Sequence, residues 1–190
     1  MGLCFGKGMQ SEVRNLVLAA LFATLTALGA QVRLTLFVIP FTLQTVFVLL
    51  AGGILGRLWG GLSMLLYLLL GLLGLPVFAG GAGPGIVFSP TFGYLLGFPL
   101  AAYWVGRYRN QGNWSRLPFW KCWLFMLAGL GWIYLLGVVY LWGVKHLYAG
   151  EDFPFRQAVL LGFLLFLPVA VLKGFLSALL LRFLDKKVAF

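Results

Sequence analysis

Long apolar runs, almost free of charge, follow one another down this chain from Val13 to Leu184. A helix crossing the hydrocarbon of a bilayer needs about 20 mostly apolar residues. Six stretches meet or approach that length: Val13–Ala30, Ile39–Gly56, Leu58–Pro76, Ile86–Val105, Phe119–Gly143 and Ala158–Leu184. Only 9% of the residues are charged, against about 25% in a soluble domain. Too few polar side chains remain to coat a water-facing surface, so the outer surface faces lipid. The expectation is an all-α integral membrane protein, a six-transmembrane-helix bundle forming one domain over residues 1–190. Residues 1–12 or so are expected to form a cytoplasmic N-terminal segment. No small-residue cleavage site follows the first run in the right place, so it is kept as a helix of the mature protein. Arg57 alone separates the second and third runs, which implies a tight helical hairpin. Gln31–Pro40 mixes Arg33, Thr35 and Pro40 and reads as an ordered loop.

Positive charge sets the orientation. With six spans, Lys7, Arg14, Arg57, Arg107, Arg109, Arg116, Lys121, Arg182, Lys186 and Lys187 fall on one side, and Arg33, Lys145 and Arg156 on the other. Short cytoplasmic loops collect Lys and Arg. Both termini are therefore expected in the cytoplasm, in a multi-pass protein of the cell membrane. The formal net charge of +10 belongs to these short connections, not to a soluble basic face, so nucleic-acid binding is not expected.

Several chemistries lack their residues. The four acids, Glu12, Glu151, Asp152 and Asp185, all fall in termini or a loop. No span holds a carboxylate pair for acid–base work, and His146, the single histidine, has no acid and nucleophile beside it. Cys4 and Cys122 lie far apart without metal-ligand spacing, so no metal and no cofactor is expected. A self-powered proton or sodium carrier places acids or histidines in its spans. Their absence means that uphill movement of a solute draws its energy from a partner.

Lys173 is the exception, an ionisable group inside the last span. Such a group is a functional candidate by default. Side chains lean toward their helix N-terminus, which aims Lys173 at an external pocket and an anionic ligand; snorkelling to the interface is the alternative. Pro168, one turn earlier, frees a carbonyl near Leu164, either as a ligand acceptor or as a simple kink. Gln44, Thr42 and Thr45 form a polar cluster at the start of span two. An amide that donates and accepts suits a urea-like ring, and helix–helix hydrogen bonding suits it equally. The loop Phe78–Gly85 is rich in glycine but lacks the Gly-Lys-Ser/Thr ending of a phosphate loop. It reads as a turn or as a lid over an externally open ligand pocket. Ala19, Ala23 and Ala27 recur every four residues on one face of span one, for packing inside the bundle or for docking a membrane partner. The aromatic residues serve mostly as interfacial anchors.

Three stretches carry a family resemblance: Phe41-Thr-Leu-Gln-Thr-Val-Phe-Val-Leu-Leu-Ala-Gly-Gly-Ile-Leu-Gly56, Leu72-Leu-Gly-Leu-Pro-Val-Phe-Ala-Gly-Gly81 and Ser89-Pro-Thr-Phe-Gly-Tyr-Leu-Leu-Gly-Phe98. With the alanine stripe, they resemble the BioY family, the biotin-specific substrate-binding (S) subunits of energy-coupling factor transporters, from roughly Val13 to Leu184. The resemblance implies a six-helix bundle with an external pocket closed by loops. It also implies a transmembrane coupling subunit docked on Ala19, Ala23 and Ala27, two ATPase subunits supplying energy, and biotin as the ligand. Substrate-binding residues on this view are Lys173 and Gln44, with Thr42. Phe78 and the backbone of Gly80, Gly81 and Gly83 form a cap. Tyr94 stands as a wall or as core packing.

One motif departs from the family. Its last helix commonly reads Phe-Leu-Pro-Gly-Asp-x-x-Lys, the acid and lysine being ligand contacts. Here Phe166-Leu-Pro-Val-Ala-Val-Leu-Lys173 keeps the lysine and has Ala170 where the acid stands. A hydrogen bond to a charged group is worth about 1.5–3 kcal/mol, so its loss weakens biotin binding about tenfold to a hundredfold. Otherwise Gln44, Ser89 or Thr91 takes its place, or the ligand is lipoate or another carboxylated vitamin without a urea ring. A solitary carrier that needs no ATPase is the second expectation for function.

Overall fold

The computed structural model describes residues 3–36, 39–109, 114–150 and 152–187. Helix α1 (Leu3–Gln31) is followed by a hairpin of β1 (Arg33–Leu36) and β2 (Ile39–Thr42), then by α2 (Gln44–Leu72), α3 (Phe92–Arg109), α4 (Phe119–Trp142), α5 (Phe155–Gly162) and α6 (Leu167–Lys187). Among the described residues, four segments are long and apolar enough to cross a membrane: Ser11–Gln31, Gln44–Leu72, Phe119–Tyr148 and Phe155–Lys186.

Span boundaries shift for identifiable reasons. The first helix begins at Leu3, so residues 3–12 continue it instead of forming a separate segment. The second span starts at Gln44, not Ile39, because Pro40 lacks an N–H and holds its predecessor in extended geometry. Residues 39–42 pair instead with 33–36 in antiparallel register, Leu36 opposite Ile39 and Arg33 opposite Thr42. A short hairpin thus stands where a loop was expected, and the fold is nearly, not wholly, helical. Pro90 acts the same way on Ser89. The span expected from Ile86 opens only at Phe92, as α3, and Pro84–Phe88 form a separate 3-10 turn. The last span breaks at Phe163 (φ −130°, ψ −60°) and restarts at Leu167 after a 3-10 turn. Pro168 sits in the first turn of α6, where its missing donor costs little.

The expected hairpin at Arg57 is present and turns on Gly56, whose backbone (φ 80°, ψ −178°) lies where only glycine is comfortable. A Cβ added to Gly60 would stand 2.8 Å from the Cα of Gly52. In a straight helix those residues lie about 12 Å apart. The legs 44–55 and 57–72 therefore fold back on each other. Helix α3 lies against both, with Gly52 meeting Ala102, Gly106 meeting Arg57, and Gly61 meeting Pro99. It thus runs parallel to the first leg and antiparallel to the second. Helix α4 opposes α3, because Gly93 faces Leu136 and Tyr140 while Gly97 faces Ile133. Helix α6 opposes α4, with Gly174 on Leu127 and the Cys122 thiol near the Ala178 carbonyl. Helix α1 opposes the first leg, where Leu43 N–H donates to the Gly29 carbonyl at 3.2 Å.

That first helix packs its alanines inward. Ala19 and Ala23 are 3% and 2% exposed and Ala27 is half-buried. The Ser63 hydroxyl donates to the Ala19 carbonyl at 2.6 Å, and Thr26 lies beside Met64. The stripe seats α1 against α2 within the chain. It is therefore not the open docking strip that the resemblance implied.

The alternating helices leave two unlike ends. At one end the Arg109 guanidinium pairs with the Asp185 carboxylate at 2.8 Å, and the Ser115 N–H donates to its second oxygen, also at 2.8 Å. The buried Trp114 indole donates to the Gly53 carbonyl at 2.9 Å. Arg14, Arg57, Arg107, Arg116, Lys121, Arg182 and Lys186 belong to the segments that meet here. The opposite end gathers the hairpin, the 73–91 loop, the tail of α4 and the α5–α6 break.

Candidate functional site at the helix ends

At this second end a cavity of about 70 Å³ opens between α2, α3, α4, α6 and the 73–91 loop. Eight residues singled out in the sequence line it together: Thr42, Gln44, Thr45, Phe78, Gly80, Thr91, Tyr94 and Lys173. They come from β2, α2, the loop, α3 and α6, so only the folded bundle brings them together. Gly81 and Gly83 do not line it. They have positive φ (135° and 85°), and the Gly83 N–H ties the loop to the Gly71 carbonyl at 2.8 Å. Their part is to turn the loop so that Phe78 drops inward. Phe78 is buried, and its ring meets Tyr67 edge-on at 5.3 Å.

A hydrogen-bond relay runs under this wall. The Thr42 hydroxyl donates to Gln44 Oε1 at 2.8 Å, Gln44 Nε2 donates to the Tyr67 hydroxyl, and Tyr67 donates to the Val77 carbonyl at 3.0 Å. Gln44, 4% exposed, is thus tethered to the loop next to Phe78. Tyr94 is both wall and strut. It lines the cavity, its hydroxyl donates to the Gly162 carbonyl at 2.9 Å, and its ring fills the space left by Gly137. Ser89 and Thr91 share a hydrogen bond of 2.9 Å between their hydroxyls.

Lys173 brings the one charge. None of the lining residues is a carboxylate, and among the described residues no acid pairs with it. Ala170 and Lys173, three residues apart, share one face of α6, and Phe166 closes the 3-10 turn that leads into it. Phe166 and Lys173 both line the cavity and Ala170 is buried between them. An acid at 170, as the resemblance would have it, would stand on the same face of α6 as Lys173.

Reading the sequence alone passed over the apolar half of the lining: Ile86, Leu95, Phe98, Ile133, Tyr134 and Phe166. In a chain that is 62% hydrophobic, nothing marks these residues apart from ordinary packing. Tyr67, which completes the relay, carried no signal either. Among the described residues no group of three His, Cys, Asp or Glu side chains gathers as a metal site.

The site is a polar and cationic cavity walled by aromatic rings, at one end of a helical bundle with apolar segments of membrane length. The chain belongs to the BioY family, whose model matches residues 7–190. It is 36% identical over 177 residues to "Biotin transporter BioY" of Thermotoga maritima, covering 92% of this chain and 97% of that one. It is 37% identical over 165 residues to "Probable biotin transporter BioY" of Pyrococcus horikoshii, covering 86% and 91%. A third relative, "Probable biotin transporter BioY" of Lysinibacillus sphaericus, is 53% identical over 97 residues, and this chain spans about half the length of that relative. The fold matches the crystal structure of the S-component for biotin from an ECF-type ABC transporter, with a TM-score of 0.81, 22% identity and 93% of each chain covered.

Proposed function

We propose that this chain captures biotin outside the cell and mediates its uptake as the S subunit of an energy-coupling factor transporter. The observation that carries the reading is the pocket, where one unpaired-by-acid lysine and a polar cluster share a cavity with aromatic walls. A carboxylated, ring-bearing vitamin has complementary groups: an anion, a polar ring and an apolar body. Membership of the BioY family supports biotin among such vitamins.

In this reading the chain is a single domain with six spans, the legs of α2 counting as two and the α5–α6 segment as one. Both termini are cytoplasmic. Support comes from the alternating helix directions and from the basic residues crowding the end that holds the termini. The pocket then opens outward under the 73–91 loop. Lys173 contacts the ligand's carboxylate or ring carbonyl, Gln44 and Thr42 form the polar flank, Phe78 with Gly80 caps the site, and Thr91 and Tyr94 close its side. A transmembrane coupling subunit and two ATPase subunits supply the energy, since the acids of the membrane-length segments, Glu12 and Asp185, sit at their ends, outside the cavity, and Asp185 is held by Arg109, leaving no carboxylate for an ion-coupled cycle.

Titration calorimetry on the detergent-purified protein tests this, with biotin, desthiobiotin and lipoate in parallel. Nanomolar to low-micromolar biotin binding supports the reading. A response to lipoate alone would show instead that Ala170 marks a carboxylated ligand without a urea ring. Uptake into vesicles lacking any coupling subunit would favour a solitary carrier.

A further inference from the structure

The polar cluster at the start of α2 divides into groups already occupied and one that is not. Gln44 spends its amide oxygen on Thr42 and an amide N–H on Tyr67. Thr91 is engaged with Ser89. Thr45 lines the same cavity, is 9% exposed, and its Oγ1 is a buried hydroxyl with no hydrogen-bond partner among the described residues. Two other buried polar atoms share that condition, Trp104 Nε1 and Arg182 Nε, and neither residue lines the cavity.

The local fold explains the orphan. A helical threonine ordinarily donates to the carbonyl four residues back, as Thr26 does to Phe22 at 2.7 Å. Thr45 is the second residue of α2, and the residue four before it, Phe41, belongs to strand β2. The chain therefore turns away before it can offer that acceptor. A buried hydroxyl left without a partner is destabilising, and a binding site is where such a group acquires one.

We infer that Thr45, not Gln44, is the side chain that reads the polar ring of the ligand, acting as the hydroxyl counterpart of the carboxylate that Ala170 replaces. This rests on the biotin reading above. A hydroxyl both donates and accepts, so it serves a cyclic urea or amide at either its N–H or its C=O. Lys173, on α6 across the cavity, is donor-only. Lys173 thus selects for a carbonyl or carboxylate, while Thr45 can also accept from a ring N–H. Gln44 becomes a positioning residue, holding β2 and the 73–91 loop in place through Tyr67.

Thr45→Val is the discriminating variant, because it removes the hydroxyl and keeps the shape. Removing an unpartnered group leaves the detergent melting temperature equal or raised. Affinity for biotin and for desthiobiotin, which both carry the urea ring, falls about tenfold, the upper range for one neutral hydrogen bond. Any binding of lipoate, which lacks that ring, stays unchanged. Thr45→Ser, which restores the hydroxyl, keeps affinity near the native value. Equal biotin affinity in Thr45→Val and native protein would overturn the assignment while leaving biotin capture standing. So would a drop in melting temperature that accounts for the lost binding, or an equal loss for lipoate. No biotin binding by the native protein would overturn both together, and is told apart by needing no variant.

Discussion

Helix α6 carries Lys173 toward its cavity end and Asp185 at its basic end, and the two are treated in opposite ways. Asp185 has both oxygens occupied, by Arg109 and by the Ser115 N–H, in a setting where neither side chain of the ion pair is more than 14% exposed. Lys173 lies 12 residues earlier, about 18 Å along the helix, and no acid faces it among the described residues. At the basic end the polar groups complete one another and lock the loop 114–116 to α6. At the cavity end a cation and a hydroxyl are held without a complement, on elements that are otherwise tightly packed. A completed polar pair is a structural device, whereas polar groups kept rigid and incomplete suit a binding surface whose missing half arrives with the ligand.

Breaking the completed pair has the largest expected effect. Asp185→Ala removes the carboxylate that the Arg109 guanidinium and the Ser115 N–H share and is expected to cost about 3 kcal/mol of stability. Thermal unfolding followed by tryptophan fluorescence reads this, while biotin affinity of the folded fraction stays native. A melting temperature that does not move would mean that the basic end is held by apolar packing alone.

Lys173→Ala removes the cavity's cation, and biotin binding is expected to weaken by about a hundredfold or more, roughly 2.7 kcal/mol, with little change in stability. Lys145→Ala is the control. Its ammonium rests over the Phe153 ring at 5.3 Å and does not line the cavity, so calorimetry should show native affinity. Equal binding by Lys173→Ala and native protein would remove the pocket assignment.

Completing the cavity end from within is the converse experiment. Ala170→Asp places an acid on the α6 face that carries Lys173. It is expected to tighten binding of urea-bearing ligands about tenfold, as one hydrogen bond to a charged acceptor does. Weaker binding would show that an acid here pairs with Lys173 at the ligand's expense.

The smallest effect belongs to the relay. Tyr67→Phe deletes the hydroxyl joining Gln44 to the Val77 carbonyl and is expected to cost about 1 kcal/mol. A severalfold faster release of biotin, with faster proteolysis within residues 73–91, would mark the loop as a lid held from below. An unchanged release rate would leave Phe78 packing as the sole latch.

Much of this was legible beforehand. Long apolar runs, the lone Arg57 between two of them and the lysine inside the last run depend only on composition along the chain; in the fold four segments of membrane length stand among the described residues, the chain turns back at Gly56 beside Arg57, and Lys173 lines the cavity. Pro40, Pro90 and the Phe163–Phe166 break moved helix ends because local backbone chemistry overrode hydropathy. The alanine stripe had two readings that spacing cannot separate, since small residues suit close approach to an internal helix as well as to an external one. Burial of Ala19 and Ala23 decided for the internal helix.

What the sequence by itself determined is the membrane setting, the family and the identity of the cation, because these rest on residue types and their order. Only the tertiary structure decided which polar groups are already satisfied. Thr42, Gln44 and Thr45 look alike as a cluster in a string of letters. Their hydrogen bonds run to residues 23 positions away and beyond, so a threonine becomes an orphan, and a glutamine a strut, only when distant segments come to rest beside them.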